Sequence, residues 1–355
     1  MHITTNNRLQ LAHKLAGQRL VIPDMRPIMS HWPSQQHGDY EIMRAAVDKR
    51  FARLLTSEKN RKAINDADPA LLAAKWWPTI STKEYRVMTD LVIWFGLWDD
   101  VIEKLGDDEA AAEDLRISTK DFIRRSFGLS RPEEDGSERG VAITNPLILS
   151  FWGIAVEVCK FYDLEQRELL LRHFDQYIDA TRLEADAERS TEIPNLEQYW
   201  EVRILTSGMG TLLGLSELAL QVHLPTEFIH SEAYSTLWVT TVIINSVIND
   251  LISLKKEMKA SSVLNSVAIL FHQYGDLDIA VDMSLDHIRK LVALFDHTAD
   301  SVLSSVTDSR EHDAISQVID LMRTVNTGNL EWSLQAKRYG VAEHIMGDGH
   351  IELCL

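Results

Sequence analysis

In "NDLISLKKE", residues 249 to 257, Asn249, Ser253 and Glu257 recur at i, i+4 and i+8. On a helix that spacing stacks an amide, a hydroxyl and a carboxylate on one face, a turn apart. All three are hard oxygen donors, with one formal charge among them. Such donors suit Mg²⁺, or Mn²⁺ as its substitute. An ion held by so little charge keeps open positions, which Mg²⁺ normally fills with phosphate oxygens. Backwards along the helix lie Asn245, Val242 and Trp238, so the stripe runs from polar into apolar. Asn is a poor helix-interior residue, which favours a function over a plain solvated stripe.

A second constellation lies in "WFGLWDDVIEK", residues 94 to 104. Asp99 and Glu103 are i, i+4 with Asp100 beside them, and Phe95, Val92 and Leu91 precede them on that face. Carboxylates this close repel one another unless a cation neutralises them. Gly106 is placed to end the helix, whose C-terminus favours a bound cation. Taken alone, this short acidic motif reads equally as a solvated face. Two helices that each bring oxygen ligands to the edge of an apolar lining would form a greasy cavity with a metal–phosphate mouth, which suits a prenyl diphosphate. Asp278, Asp282 and Asp286 also recur at i, i+4, i+8, but no apolar stripe extends their face, so they read as solvated. "GDDEAA" (106–111) reads as a helix start, with acids favoured in the first turn.

These residues need helices to hold them, and the rest of the chain supplies helical signals. Apolar residues at i, i+3, i+4 recur in most windows, as in 41–55 and 285–303, and strand-like alternation is scarce. No proline follows Pro225, so the last 130 residues can form long helices, with breaks expected near Gly275, Gly328 and Gly340. Pro23, Pro27 and Pro33 mark residues 1–38 as an extended segment before the helices begin, and the charged, Gly- and Pro-containing stretch at about 128–145 reads as a loop. With no repeat or composition shift, the 355 residues are expected to form one all-α domain, 1–355.

Bulk composition narrows the partners. With 45% hydrophobic and 25% charged residues the chain is globular, and a net charge of −17 disfavours nucleic acid and anionic membranes. Cys159 and Cys354 fit neither a disulfide framework nor a zinc site, as expected of a reducing compartment. No stretch has the uninterrupted apolar length of a membrane span; the best, 237–248, is short and carries Thr, Asn and Ser. Residues 1–22 carry Arg8, Lys14 and Arg19 without acids, yet lack a signal-peptide core, so the cytosol is the expected location. A monomer or a homodimer is expected.

Taken together, these motifs resemble the class I terpene cyclases, above all the single-domain microbial and fungal sesquiterpene synthases. "DDVIE" looks like their aspartate-rich motif in its D-D-x-x-E form, although Asp is the commoner last residue, and "NDLISLKKE" matches their N-D-x-x-S-x-x-x-E motif. Arg203 stands 46 residues before Asn249, at the family's diphosphate-sensing position, and "WSLQAKRY" supplies the family's Trp332, Arg338 and Tyr339. The four motifs span positions 99 to 339 in the family's order.

The resemblance implies an all-α bundle around an apolar cavity and three Mg²⁺ ions, held by Asp99 with Glu103 and by Asn249, Ser253 and Glu257. It implies a diphosphate bridging those ions, with Arg203, Lys256, Arg338 and Tyr339 donating to its oxygens and Asp100 pairing with an Arg on closure. Thr206 and Ser207 would mark a helix break that couples sensing to ionisation, with Gly208 and Gly210 permitting it. Phe95, Trp332 and one of Trp76 or Trp77 are the candidates to shield the cation. The expected reaction is cyclisation of farnesyl diphosphate to a sesquiterpene hydrocarbon or alcohol. The alternatives are a diterpene cyclase using geranylgeranyl diphosphate, a prenyl chain-elongation enzyme and a non-catalytic helical binding protein.

Overall fold

Short polar residues start the long helices of the C-terminal part. Ser231 accepts from the Tyr234 N–H, Asn265 from Val267, Asp276 from Asp278 and Ile279, and Asp308 from Arg310 and Glu311. Each cap satisfies a backbone donor that the first turn leaves unpaired. Gly275, at φ +71°, closes the helix before Asp276 in the left-handed conformation that glycine adopts without strain.

The computed structural model describes residues 6–54, 58–106, 108–129, 143–260 and 262–355. In chain order its helices begin with α1 (Asn7–Leu15), α2 (Tyr40–Leu54), α3 (Glu58–Ala67), α4 (Pro69–Trp76), α5 (Thr82–Lys104) and α6 (Glu109–Ser126). They continue with α7 (Pro146–Leu149), α8 (Trp152–Phe161), α9 (Leu164–Arg189), α10 (Leu196–Thr206), α11 (Met209–Leu213) and α12 (Ser216–Leu220). The last are α13 (Thr226–Ile229), α14 (Glu232–Lys259), α15 (Ser266–Tyr274), α16 (Leu277–Ser305) and α17 (Ser309–Gln335). Among the described residues the only sheet is antiparallel β1 (Arg19–Ile22) against β2 (Ile351–Cys354). The all-α class is as expected.

The chain divides into two compact units. The first comprises Met1–Thr79, Asp186–Ile204 and His223–Leu355. There α14 packs on α16 and α17, α17 on α4, and α15 on α16. Among the described residues α14 alone is long and apolar enough to cross a membrane, because a few polar interruptions do not lower its hydropathy enough. Its most apolar window is 78% buried inside the protein, as suits the central helix of a core. The second unit comprises Ile80–Ala185 and Leu205–Val222. In it α5 packs on α7, α8 and α12 around buried Trp94, Trp98, Phe127, Phe151 and Phe174. The two indoles there keep their N–H groups satisfied, Trp94 by the Leu147 carbonyl at 3.1 Å and Trp98 by Thr119 Oγ1 at 3.0 Å.

Two expectations are corrected. Residues 7–15 are helical rather than extended: Asn6 caps the helix, Leu11 and Leu15 bury one face, and the prolines act only downstream. Gly328 does not break a helix but lies buried within α17, where a Cβ would come 2.4 Å from the Lys75 carbonyl oxygen of α4. Of the loop expected at about 128–145, residues 130–142 lie outside the described ones. Asp278, Asp282 and Asp286 are exposed on α16, and Asp108 caps α6, both as read.

Candidate active site

In the first unit the stripe on α14 is joined to three other segments by hydrogen bonds. Arg203 Nη2, on α10, donates to Asn249 Oδ1 at 2.9 Å, and Asn249 Nδ2 donates to the Tyr339 hydroxyl at 2.9 Å. Below them Ser253, 1% exposed, donates to Glu257 Oε1 at 2.6 Å. Asn265 Nδ2 donates to Glu257 Oε2 at 2.8 Å. Five of the residues read from the sequence thus come together: Arg203, Asn249, Ser253, Glu257 and Tyr339. Trp332 stands edge-on to Tyr339 at 5.5 Å, with its indole N–H on the Ala67 carbonyl at 2.7 Å.

Asp250 underlies this array and was not singled out from the sequence. It is 1% exposed and accepts from Arg203 Nη2 at 3.2 Å, the Tyr199 hydroxyl at 2.7 Å, and the Ser266 N–H and Oγ–H at 3.0 and 2.6 Å. Tyr199 and Arg203 are i, i+4 on α10, so the spacing around Arg203 carried a signal for that tyrosine. Burial first, then the Asp250 charge, holds the Tyr199 phenol well above its ordinary range, so it stays a donor. Burial likewise raises the Tyr339 phenol.

The donor chemistry of the α14 stripe fits a hard divalent cation. Glu257 keeps some accessible surface, but its carboxylate is set deep, held by the neutral donors Ser253 and Asn265. Burial first, and nearby Asp250 next, raise its pKa, as both disfavour the charged carboxylate. The set mixes amide, hydroxyl and carboxylate oxygens. Among the described residues no three His, Cys, Asp or Glu side chains gather into a metal cluster.

In the second unit Asp99, more than a turn before the end of α5, accepts from the Tyr177 hydroxyl at 3.2 Å. Burial and the Asp99 charge push that phenol well above its ordinary value. Asp100 lies 3.5 Å from Lys104 Nζ, one turn on, rather than beside an arginine, and Glu103 is exposed. Phe95 is buried next to Tyr177, ring centres 5.0 Å apart, and stacks on Phe174 at 5.9 Å.

The remaining expected residues fall as follows. Thr206 ends α10, Ser207 Oγ accepts from the Met209 N–H at 3.3 Å, and Gly208 at φ +69° completes the break foreseen in "TSGMG". Trp76 is buried at the end of α4, edge-on to Trp77 at 5.5 Å. Lys256 is exposed on α14. Arg338 is exposed in the turn after α17, anchored by its backbone N–H to the Asp66 carbonyl at 2.8 Å. Arg338→Ala keeps that anchor. It is therefore expected to leave the melting temperature within about a degree, as surface changes do, while the donor role that the family resemblance implies for Arg338 predicts a fall in turnover of about 10²-fold. Thermal melts and steady-state rates check both halves.

Residues 90–293 match terpene synthase family 2, C-terminal metal binding, a span holding both oxygen-ligand motifs and Arg203. The chain is 26% identical to the sesquiterpene cyclase hepA of Aspergillus oryzae over 99% of its length and 98% of that protein's. It is 27% identical to pristinol synthase of Streptomyces pristinaespiralis over 81% of this chain and 76% of that one. Among solved structures it resembles a linalool/nerolidol synthase from Streptomyces clavuligerus in complex with 2-fluorogeranyl diphosphate. The TM-score there is 0.72 at 17% identity, covering 87% of this chain and 98% of that one.

Proposed function

This chain belongs to terpene synthase family 2, and on that premise we propose that it ionises farnesyl diphosphate and cyclises the cation to a sesquiterpene, releasing pyrophosphate. The observation that carries the reading is the array Arg203–Asn249–Tyr339, hydrogen-bonded in a row beside Ser253 and Glu257. The C15 substrate is supported by hepA being a sesquiterpene cyclase, to which this chain is similar over 99% of its length.

On this reading Asn249, Ser253 and Glu257 would hold one Mg²⁺, with Asp99 and Glu103 holding two more; Mn²⁺ would substitute, and the whole of 1–355 would act as one cytoplasmic catalytic domain. Bound metal supplies Lewis-acid stabilisation of the departing pyrophosphate. Arg203, Lys256, Arg338 and Tyr339 donate charge-assisted or neutral hydrogen bonds to the diphosphate oxygens. As the allylic C–O bond breaks, its electron pair leaves with pyrophosphate and the carbon chain becomes a cation. Phe95, Trp76 and Trp332 would shield that cation from water. Asp100 exchanges Lys104 for an arginine on closure, and Thr206 and Ser207 at the break in α10 relay diphosphate binding to the cation. Loss of a proton from carbon to the released pyrophosphate or to solvent ends the reaction as a hydrocarbon. Capture of water, followed by loss of one of its protons to the same acceptors, ends it as an alcohol.

Incubation of the purified protein with C10, C15 and C20 prenyl diphosphates and Mg²⁺, followed by gas chromatography–mass spectrometry, tests the reading. A cyclic C15 product that disappears on chelation is expected. Cyclic C20 products would make it a diterpene cyclase, longer diphosphates a chain-elongation enzyme, and no turnover by folded protein would leave only a binding role. Trp332→Leu is expected to shift the product mixture, with most substrate still consumed, because it changes the face offered to the cation and leaves Asn249 and Arg203 in place. An unchanged product profile would take Trp332 off the list of lining residues.

A further inference from the structure

The chain beyond α14 folds back on the helix's last turn: the Glu257 carbonyl accepts from the N–H groups of both Ala260 and Ser262, at 2.9 and 3.1 Å. This return brings Asn265, fully buried, against the ligand stripe. Both the nitrogen and the oxygen of its amide are engaged. One Nδ2 hydrogen goes to the Asp250 backbone carbonyl at 2.8 Å and the other to Glu257 Oε2 at 2.8 Å, while Oδ1 accepts from the Val267 N–H at 2.9 Å as the cap of α15. An asparagine cap needs only the last of these bonds. The other two tie α15 to the ligand end of α14.

Resting on the ligand reading of Asn249, Ser253 and Glu257, we infer that Asn265 is a positioning residue for the cation site: it holds Glu257 Oε2 so that Oε1 is presented beside the Ser253 hydroxyl. A carboxylate in a loosely packed turn would sample several rotamers, and each alternative would separate it from Ser253. Asn265 removes those alternatives through a donor that carries no charge, so it fixes the carboxylate without neutralising it for the incoming cation. A lysine in its place would fix the carboxylate and also satisfy its charge. The backbone bond to Asp250 makes the orientation rigid, since Asp250 is itself held by Tyr199, Arg203 and Ser266. Ordered outer partners of this kind orient metal ligands in general.

The test uses the full-length protein and thermal melts over a Mg²⁺ titration at fixed inorganic pyrophosphate, read as the Mg²⁺ concentration giving half the maximal rise in melting temperature. Asn265→Asp keeps the volume and the cap acceptor but turns a carboxylate toward Glu257. Asn265→Ser keeps a strong cap but cannot reach Glu257, and it carries the test if the aspartate variant does not fold. In both, the half-effect concentration is expected to rise by about 10–100-fold, the usual consequence of losing an outer partner of a metal ligand. Asp276→Ala removes a cap of the same kind, from α16. It is expected to lower the metal-free melting temperature while leaving the Mg²⁺ half-effect concentration unchanged, which separates positioning from simple capping. Wild-type Mg²⁺ dependence in both Asn265 variants would overturn the inference while leaving the ligand reading standing. A wild-type protein that pyrophosphate and Mg²⁺ do not stabilise at all would overturn the ligand reading, and this inference with it.

Discussion

Asn249→Ala is expected to lower turnover of a prenyl diphosphate by about 10³-fold or more, at the upper end of what one electrostatic contact to a transition state is worth, because more than one contact goes with it. The amide offers its oxygen to Arg203 and its nitrogen to Tyr339. On the proposed reading that oxygen is also a metal ligand. Removing it withdraws a ligand and releases both diphosphate donors from their alignment at once. The fold should survive: Asn249 is partly exposed, and its two hydrogen bonds are worth on the order of 1 kcal/mol each. The Asp250 contacts that hold Tyr199, Arg203 and Ser266 do not involve it. Circular dichroism and a thermal melt establish the fold, and product formation from farnesyl diphosphate gives the rate. A folded alanine variant that keeps a tenth of wild-type turnover would exclude Asn249 from the ligand set.

What the sequence revealed of this site, and what it hid, divides by distance along the chain. The α14 stripe was legible because a helix converts i, i+4, i+8 into one face without outside help, and the break at Gly208 was legible because glycine and helix interiors conflict locally. Asp250 was hidden although it follows Asn249 directly. Its partners Tyr199 and Ser266 come from other helices, and nothing in "ND" tells a solvated aspartate from one that folding buries. Tyr177 beside Asp99 was hidden for the same reason, since the two lie 78 residues apart. The helix Asn7–Leu15 was masked by the prolines that follow it. Yet its own cap and its Leu11 and Leu15 spacing were present to be read. The acidic row on α16 matched the ligand spacing and was still read as solvated, because its apolar context differed. Spacing proposes a face, and only the neighbours decide what that face meets.

The same rule explains the α17 stripe and leads to the largest stability effect expected in this protein. Thr324, Gly328 and Trp332 stand at i, i+4 and i+8, the spacing of the ligand stripe, but here the face packs against backbone. Thr324 Oγ1 donates to the Trp76 carbonyl at 3.1 Å, and the Trp332 indole donates to the Ala67 carbonyl at 2.7 Å. Between them Gly328 lets α4 come so near that an added Cβ would lie 2.4 Å from the Lys75 oxygen and 2.6 Å from its carbonyl carbon. Both are backbone atoms, with no rotamer to relieve the clash. Gly328→Ala must therefore push α4 off α17, breaking the bonds on either side. We expect it to destabilise the protein by about 3 kcal/mol or more, the upper range for overpacking a tight core. Gly96 in α5 is the control: a Cβ there meets nothing within 4 Å. Gly96→Ala is expected to stabilise by about 0.5–1 kcal/mol through helix propensity alone. Thermal or urea melts of the two variants should move in opposite directions. If Gly328→Ala melts with the wild type, α17 and α4 do not approach this closely, and the placement of Trp332 against Tyr339 loses its support. If it melts low, as expected, the residual folded fraction should, on the proposed lining role of Trp76 and Trp332, also give an altered product profile, because the two shift together with the helices that carry them.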